Sequence, residues 1–205
     1  MKNIFAKFLG ISAFGIVLSA PVAHAAGPVS FSLKGGATMS SSSAAGSKMG
    51  IGFLGGLGVD VGAGPIGVQV DAFYAKRKIG VADSTQTIAG QDFAITNASI
   101  SMTQLFVPIQ LRFALMPMLR LTAGGYFASG LGKVSSSASV AGISLPAVEQ
   151  EYAAAGIEKT DYGLIGGLGV AAGPLLVGGH YYYGLKKGAG NAKASGFDLT
   201  IGFEF

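Results

Sequence analysis

From Phe197 to Phe205 every second residue is large and apolar: Phe197, Leu199, Ile201, Phe203 and Phe205. A period of two marks a strand whose two faces meet different surroundings. The same alternation returns in seven earlier segments, which together predict eight strands: Val29 to about Met39, Met49 to Val61, Ile66 to about Ala75, Met102 to Leu115, Leu119 to Leu131, Asp161 to Ala171, Leu175 to Leu185 and Ser195 to Phe205. Their lengths approach the roughly 9–11 residues that a tilted strand needs to cross a bilayer.

One face of these segments is almost free of charge, with Phe31, Leu57, Val68, Leu111, Val170 and Ile201 among its members. The other carries Lys34, Asp60, Asp71, Gln110, Arg112, Arg120, Asp161, His180 and Asp198. That second set is too polar for the core of a soluble sandwich or lipocalin-like barrel, and its mixed signs allow paired charges in an enclosed space. Hydrocarbon offers no partner for a backbone N–H or C=O, so strands in lipid must close on themselves. The expected fold is therefore all-β, an eight-stranded antiparallel up-and-down transmembrane β-barrel. Glycine, 34 of 205 residues, suits the inward face, where it leaves room for larger neighbours. A packed interior and a narrow water-filled passage both stay open at this point.

The connections alternate in length. Ala63-Gly64-Pro65, Met116-Pro117-Met118 and Ala172-Gly173-Pro174 are tight turns, whereas about 40–48, 76–101, 132–160 and 186–194 are longer. Antiparallel strands return all short turns to one side, as expected of a barrel with short periplasmic turns, longer outer loops and both termini in the periplasm. In that orientation Tyr74, Phe127, Tyr162, Tyr183 and Phe197 fall near the outer rim, and Phe31, Phe203 and Phe205 near the periplasmic rim. The segment 144–160, with Glu149, Glu151, Glu158 and Lys159, is read as a loop with a short helical turn.

Residues 1–25 read as a cleaved signal peptide, leaving 26–205 as one barrel domain. Lys2 and Lys7 precede an apolar stretch from Phe8 to Leu18, and Ala23-His24-Ala25 fits a cleavage site. Losing Lys2 and Lys7 takes the formal charge from +4 to +2, too little and too scattered for nucleic acid. The chain has no cysteine, which excludes disulfides and lipid attachment at a processed cysteine. With two histidines in all, no His-based metal site is expected, and neither is any cofactor.

Several stretches resemble a known family. Phe106-Val107-Pro108-Ile109-Gln110-Leu111-Arg112-Phe113, Gly124-Gly125-Tyr126-Phe127, Asp161-Tyr162-Gly163-Leu164-Ile165-Gly166-Gly167-Leu168-Gly169-Val170 and His180-Tyr181-Tyr182-Tyr183-Gly184-Leu185 resemble, in order and spacing, the small bacterial outer-membrane β-barrel ("porin family") proteins. His180 stands where that motif more often begins with arginine. The resemblance implies the barrel fold and a Gram-negative outer membrane. It also implies that Phe197, Leu199, Ile201, Phe203 and Phe205 form the signal read by the outer-membrane barrel assembly machinery. It implies no single biochemical activity.

The leading functional expectation is a monomeric, non-enzymatic barrel acting structurally or at the surface through its loops. Lys76, Arg77 and Lys78 form a basic run near the outer rim, suited to lipopolysaccharide phosphates; a solvated strand end explains the run as well. A passive channel for small solutes is the alternative, with Lys34, Asp71, Arg112 and Arg120 lining the path; eight strands leave little lumen for it. A lipid-modifying enzyme would need a serine and an orienting acid beside His180, and the neighbouring inward positions supply tyrosine and glycine instead.

Overall fold

A computed structural model of the chain describes residues 29–88, 91–140, 143–188 and 191–205. The expected signal peptide lies outside the described residues. The fold is all-β and antiparallel and resembles a membrane β-barrel. Its strands are β1 (Val29–Ser42), β2 (Ser47–Ala63), β3 (Ile66–Val81), β4 (Ser84–Ile88), β5 (Gln91–Ala114), β6 (Leu119–Val140), β7 (Ile143–Ser144), β8 (Val148–Gln150), β9 (Thr160–Ala172), β10 (Leu175–Gly184) and β11 (Ala194–Glu204). The long strands pair in the sequence β1-β2-β3-β5-β6-β9-β10-β11, and β11 pairs with β1 along its length from Ser32↔Glu204 to Ser42↔Ala194. Each of these eight therefore has a hydrogen-bonded neighbour on both edges.

The alternation read from the sequence sets which way side chains point. Leu33, Ile51, Leu57, Ile109, Leu164, Leu168 and Ile201 are each more than half exposed on the outside, while their immediate neighbours Ser32, Lys34, Gln110, Ile165 and Thr200 are buried. The tight turns fall as expected. In two of them Gly64 and Gly173 take φ of +64° and +60° ahead of a proline, backbone that an L-residue rarely adopts. Each short turn is tied to the next strand by a backbone bond: Ala114 N–H to Pro65 O, Ala171 N–H to Met118 O and Glu204 N–H to Pro174 O. Pro108 interrupts the ladder between β3 and β5. Val70↔Ile109 and Phe73↔Phe106 pair, but nothing pairs between them, because proline has no N–H to give.

At the other end the structure departs from the sequence reading. The segment 76–101, expected as a loop, is mostly strand: β3 continues to Val81, β4 pairs with β5 from Ser84↔Ile95 to Ile88↔Gln91, and β5 begins at Gln91. The segment 132–160 likewise begins as an extension of β6, flanked by β7 and β8. The expected long connection at 40–48 shrinks to residues 43–46 between β1 and β2. Within 151–157 the chain does make a turn, closed by Ala155 N–H to Glu151 O and Ile157 N–H to Tyr152 O.

Candidate functional site

The inward face is a stack of ionic and aromatic layers. Nearest the short turns, Arg120 Nη1 meets Glu204 Oε2 at 2.8 Å, and Arg112 Nε meets Asp60 Oδ2 at 2.6 Å. Next, Lys34 Nζ lies 2.6 Å from Asp71 Oδ1, and Gln69 Nε2 donates to the other oxygen of Asp71, also at 2.6 Å. Gln110 donates to Thr122 Oγ1 at 3.1 Å. Further up, Arg77 Nη2 faces Asp198 Oδ2 at 3.4 Å. No ion pair here joins strands that are hydrogen-bonded neighbours. Lys34 and Asp71 reach over β2, Arg112 and Asp60 over β3, Arg77 and Asp198 over β1 and β2, and Arg120 and Glu204 over β9 and β10. The pairs therefore span the interior and tie distant strands together.

Above these pairs sits an aromatic layer. Phe106 lies 5.1 Å from Tyr126 and 5.9 Å from Tyr182 between ring centroids, and Tyr126 meets Tyr182 edge-on at 5.8 Å. The Arg77 guanidinium packs over Phe106 at 4.3 Å and Tyr182 at 3.8 Å, a cation held against two π faces. Both hydroxyls are hydrogen-bonded: Tyr182 donates to Ser40 Oγ at 2.8 Å and Tyr126 to Asp161 Oδ2 at 2.7 Å.

This layer floors a cup of about 360 Å³ at the long-loop end, with Arg77, Met102, Tyr126, Tyr152, Asp161 and Tyr182 among its lining residues. Tyr152 belongs to the segment between β8 and β9 but turns back inside, 5% exposed, and donates to the Thr103 carbonyl at 2.7 Å. A Cβ at Gly130 would run into its ring, so the bare backbone there is what lets the tyrosine lie flat. Burial pushes the Tyr152 hydroxyl pKa up.

The residues singled out from sequence are placed as follows. Lys34, Asp60, Asp71, Gln110, Arg112, Arg120, Asp161 and Asp198 are on the inward face, in the contacts just given. His180 also points inward, beside Gly167 and Gly178, and among the described residues no serine is hydrogen-bonded to it. Of the basic run, Lys76 and Lys78 are outside, but Arg77 is not: it is 4% exposed in the interior. Arg77 cannot share a lipopolysaccharide contact with its neighbours, because consecutive strand residues point to opposite faces. Phe197, Leu199, Ile201 and Phe205 are exposed, Phe203 is half-buried, and Phe205 exchanges both backbone bonds with Phe31.

Sequence reasoning missed Arg77 and Glu204 as interior charges and Tyr152 as a lining residue. The first two carried a signal. Arg77 shares the odd phase of Gln69 and Asp71, and Glu204 the even phase of Asp198 and Thr200. Tyr152 carried none, since its place depends on how an irregular segment folds back. Among the described residues no group of three or more His, Asp or Glu side chains is arranged to hold a metal.

A family model described as "outer membrane protein beta-barrel domain" matches residues 19–188. No curated protein matches the chain. Among solved structures, the attachment invasion locus protein Ail of Yersinia pestis is similar at 16% identity and a TM-score of 0.49, over 86% of this chain and 98% of that one. Neisserial surface protein A is similar at 15% identity and a TM-score of 0.40, over 85% and 97%. A designed transmembrane β-barrel is similar at 7% identity and a TM-score of 0.34, over 86% and 95%.

Proposed function

The chain belongs to the outer membrane protein beta-barrel domain family, and on that premise we propose that it is a non-enzymatic, monomeric, eight-stranded up-and-down barrel of the bacterial outer membrane, structural or surface-interacting through its long-loop end. An outer-membrane barrel meets lipid on its outside and depends on the barrel assembly machinery for insertion. In this reading both termini and the short turns are periplasmic, residues 1–25 are the export signal, and the alternating Phe197 to Phe205 segment is what the assembly machinery recognises.

One observation carries the reading: large apolar side chains cover the outside of strands that each have two neighbours, while ion pairs fill the inside. Water on that outer surface would leave an apolar patch far larger than soluble monomers tolerate. Lipid removes the cost, and the two-sided pairing satisfies the backbone. Lys76 and Lys78 lie outside on β3 toward the long-loop end, where lipopolysaccharide phosphates would be in reach. The solute-channel alternative is less well supported, because cross-interior ion pairs and the Phe106–Tyr126–Tyr182 layer occupy the axis. Planar-bilayer recording of refolded, heat-modifiable protein tests this: silence is expected, and reproducible unitary openings overturn the closed-interior reading. In the same preparation, Lys76→Gln with Lys78→Gln is expected to weaken binding to lipopolysaccharide-containing vesicles a few-fold; unchanged binding removes the lipopolysaccharide contact.

A further inference from the structure

Among the described residues the interior charges do not balance. The cations Lys34, Arg77, Arg112 and Arg120 each have a carboxylate partner, respectively Asp71, Asp198, Asp60 and Glu204. Asp161 is left over. Among the described residues it has no ion pair, and its carboxylate accepts from the Tyr126 hydroxyl at 2.7 Å and from the Tyr162 N–H. The cup that Asp161 lines also holds the cations Arg77 and Lys186. Both are committed elsewhere, Arg77 to Asp198 and Lys186 to Glu158 at 3.0 Å. A half-buried carboxylate without a counter-charge is costly in a confined site.

Asp161 is also a lining residue of the cup, and its surroundings there suit a particular ligand. Ile79, Ile100, Met102 and Ile157 supply apolar wall, and Tyr126, Tyr152 and Tyr182 bring aromatic rings. The cup's volume, about 360 Å³, falls in the roughly 300–1,000 Å³ range of small-molecule sites. The lining holds two carboxylates, Glu158, which is paired with Lys186, and Asp161, which has no ion pair; aromatic faces and apolar walls beside an unpaired carboxylate favour a cation whose charge is spread over carbon. The aromatic layer already holds one such cation, the Arg77 guanidinium over Phe106 and Tyr182. An anion would meet Asp161 directly. The remaining lining cation, Lys159, is exposed to water, where its charge is largely screened.

We propose that the cup is a binding site for a small organic cation, an alkyl- or arylammonium ion, with Asp161 as its counter-charge and the tyrosines around it as its walls. The site goes beyond a surface role of the loops and does not depend on which side of the membrane the long-loop end faces.

The test uses the refolded full barrel in lipid nanodiscs, with empty discs as the blank. Benzyltrimethylammonium and phenylacetate, of similar apolar body and opposite charge, are titrated while the Met102 methyl resonance is followed. Saturable binding of the ammonium probe, at least about tenfold tighter than the carboxylate, is expected. Asp161→Asn is expected to weaken the ammonium probe about tenfold while keeping the heat-modifiable gel shift of the folded barrel. Phenylacetate binding as tight as the ammonium probe, no saturable binding above empty discs, or undiminished binding by folded Asp161→Asn overturns the assignment. Should Asp161→Asn not fold, the comparison of the two probes on the unaltered protein decides it. Failure of this test leaves the conductance and lipopolysaccharide experiments untouched.

Discussion

Arg77 illustrates what one side chain must satisfy inside such an interior. The residue is 4% exposed, its contact with Asp198 is long at 3.4 Å, and Arg77 Nε and Asp198 Oδ1 are buried without a hydrogen-bond partner. The two aromatic faces at 4.3 and 3.8 Å supply part of what the carboxylate does not. Removing one member of a buried pair strands the other's charge. Arg77→Ala is therefore expected to destabilise the barrel by about 3–5 kcal/mol, whereas Arg77→Met with Asp198→Leu loses far less. Urea unfolding in lipid vesicles checks this; equal losses for the single and double variants would show that packing, not charge, governs the position. The residue also marks where sequence reading stopped short. Lys76-Arg77-Lys78 looks like one basic run, yet a strand divides it, and the third strand had only to continue in phase past Ala75 to turn Arg77 inward.

Among elements, the extensions at the long-loop end behave differently from the strands below them. β5 is 24 residues and β6 is 22, and their upper parts are rich in Ser, Thr and Ala with no sustained alternation of large apolar residues. Such stretches carry no signal of which face is buried, so register comes from backbone pairing alone and slips readily. Register shifts occur there, at Thr96/Ser99 and Ser101/Thr103. For that reason the sequence reads them as loops. The exposed Asp83 clips this region together, accepting from Lys48 Nζ at 2.9 Å and from the Asn97 N–H at 3.2 Å. Its carboxyl pKa is held below the usual value, first by the Lys48 hydrogen bond and then by the Asn97 N–H. A lowered folded-state pKa gives stability that is present above the unfolded value and lost as pH falls through the folded one. At neutral pH the clip is fully in place, so Asp83→Asn is expected to speed proteolytic nicking between residues 82 and 97 while the barrel's heat-modifiable shift is unchanged. High salt acts the same way in part, because the Lys48 pair is open to screening. Nicking at the wild-type rate would mean that strand pairing alone holds the region.

For the whole molecule, the governing fact is an inverted distribution: Leu111 and Val170 lie outside and Arg112 and Asp60 inside. In a bilayer a charge on the outer face costs about 2–4 kcal/mol at the midplane and much less near the rims. Leu111→Arg is thus expected to impair folding into vesicles, and Thr122→Arg, on the inner face, to fail for lack of space rather than for charge. Vesicle folding yields in bilayers of different thickness separate the two, since only the outer-face variant should respond to the lipid. A Leu111→Arg protein that folds normally would sink the lipid-facing assignment. Strand phase, turn positions and the sorting of charges to one face were legible in the order of residues alone, because each follows from a period of two within a single segment. Which charges meet follows from the folded arrangement of strands, since Arg77 and Asp198 are 121 residues apart and come together only when β11 pairs with β1. The cup likewise exists only in three dimensions: Tyr152 enters it by folding back over Gly130, and Asp161 is left as a surplus charge only once Asp60, Asp71, Asp198 and Glu204 have found their cations.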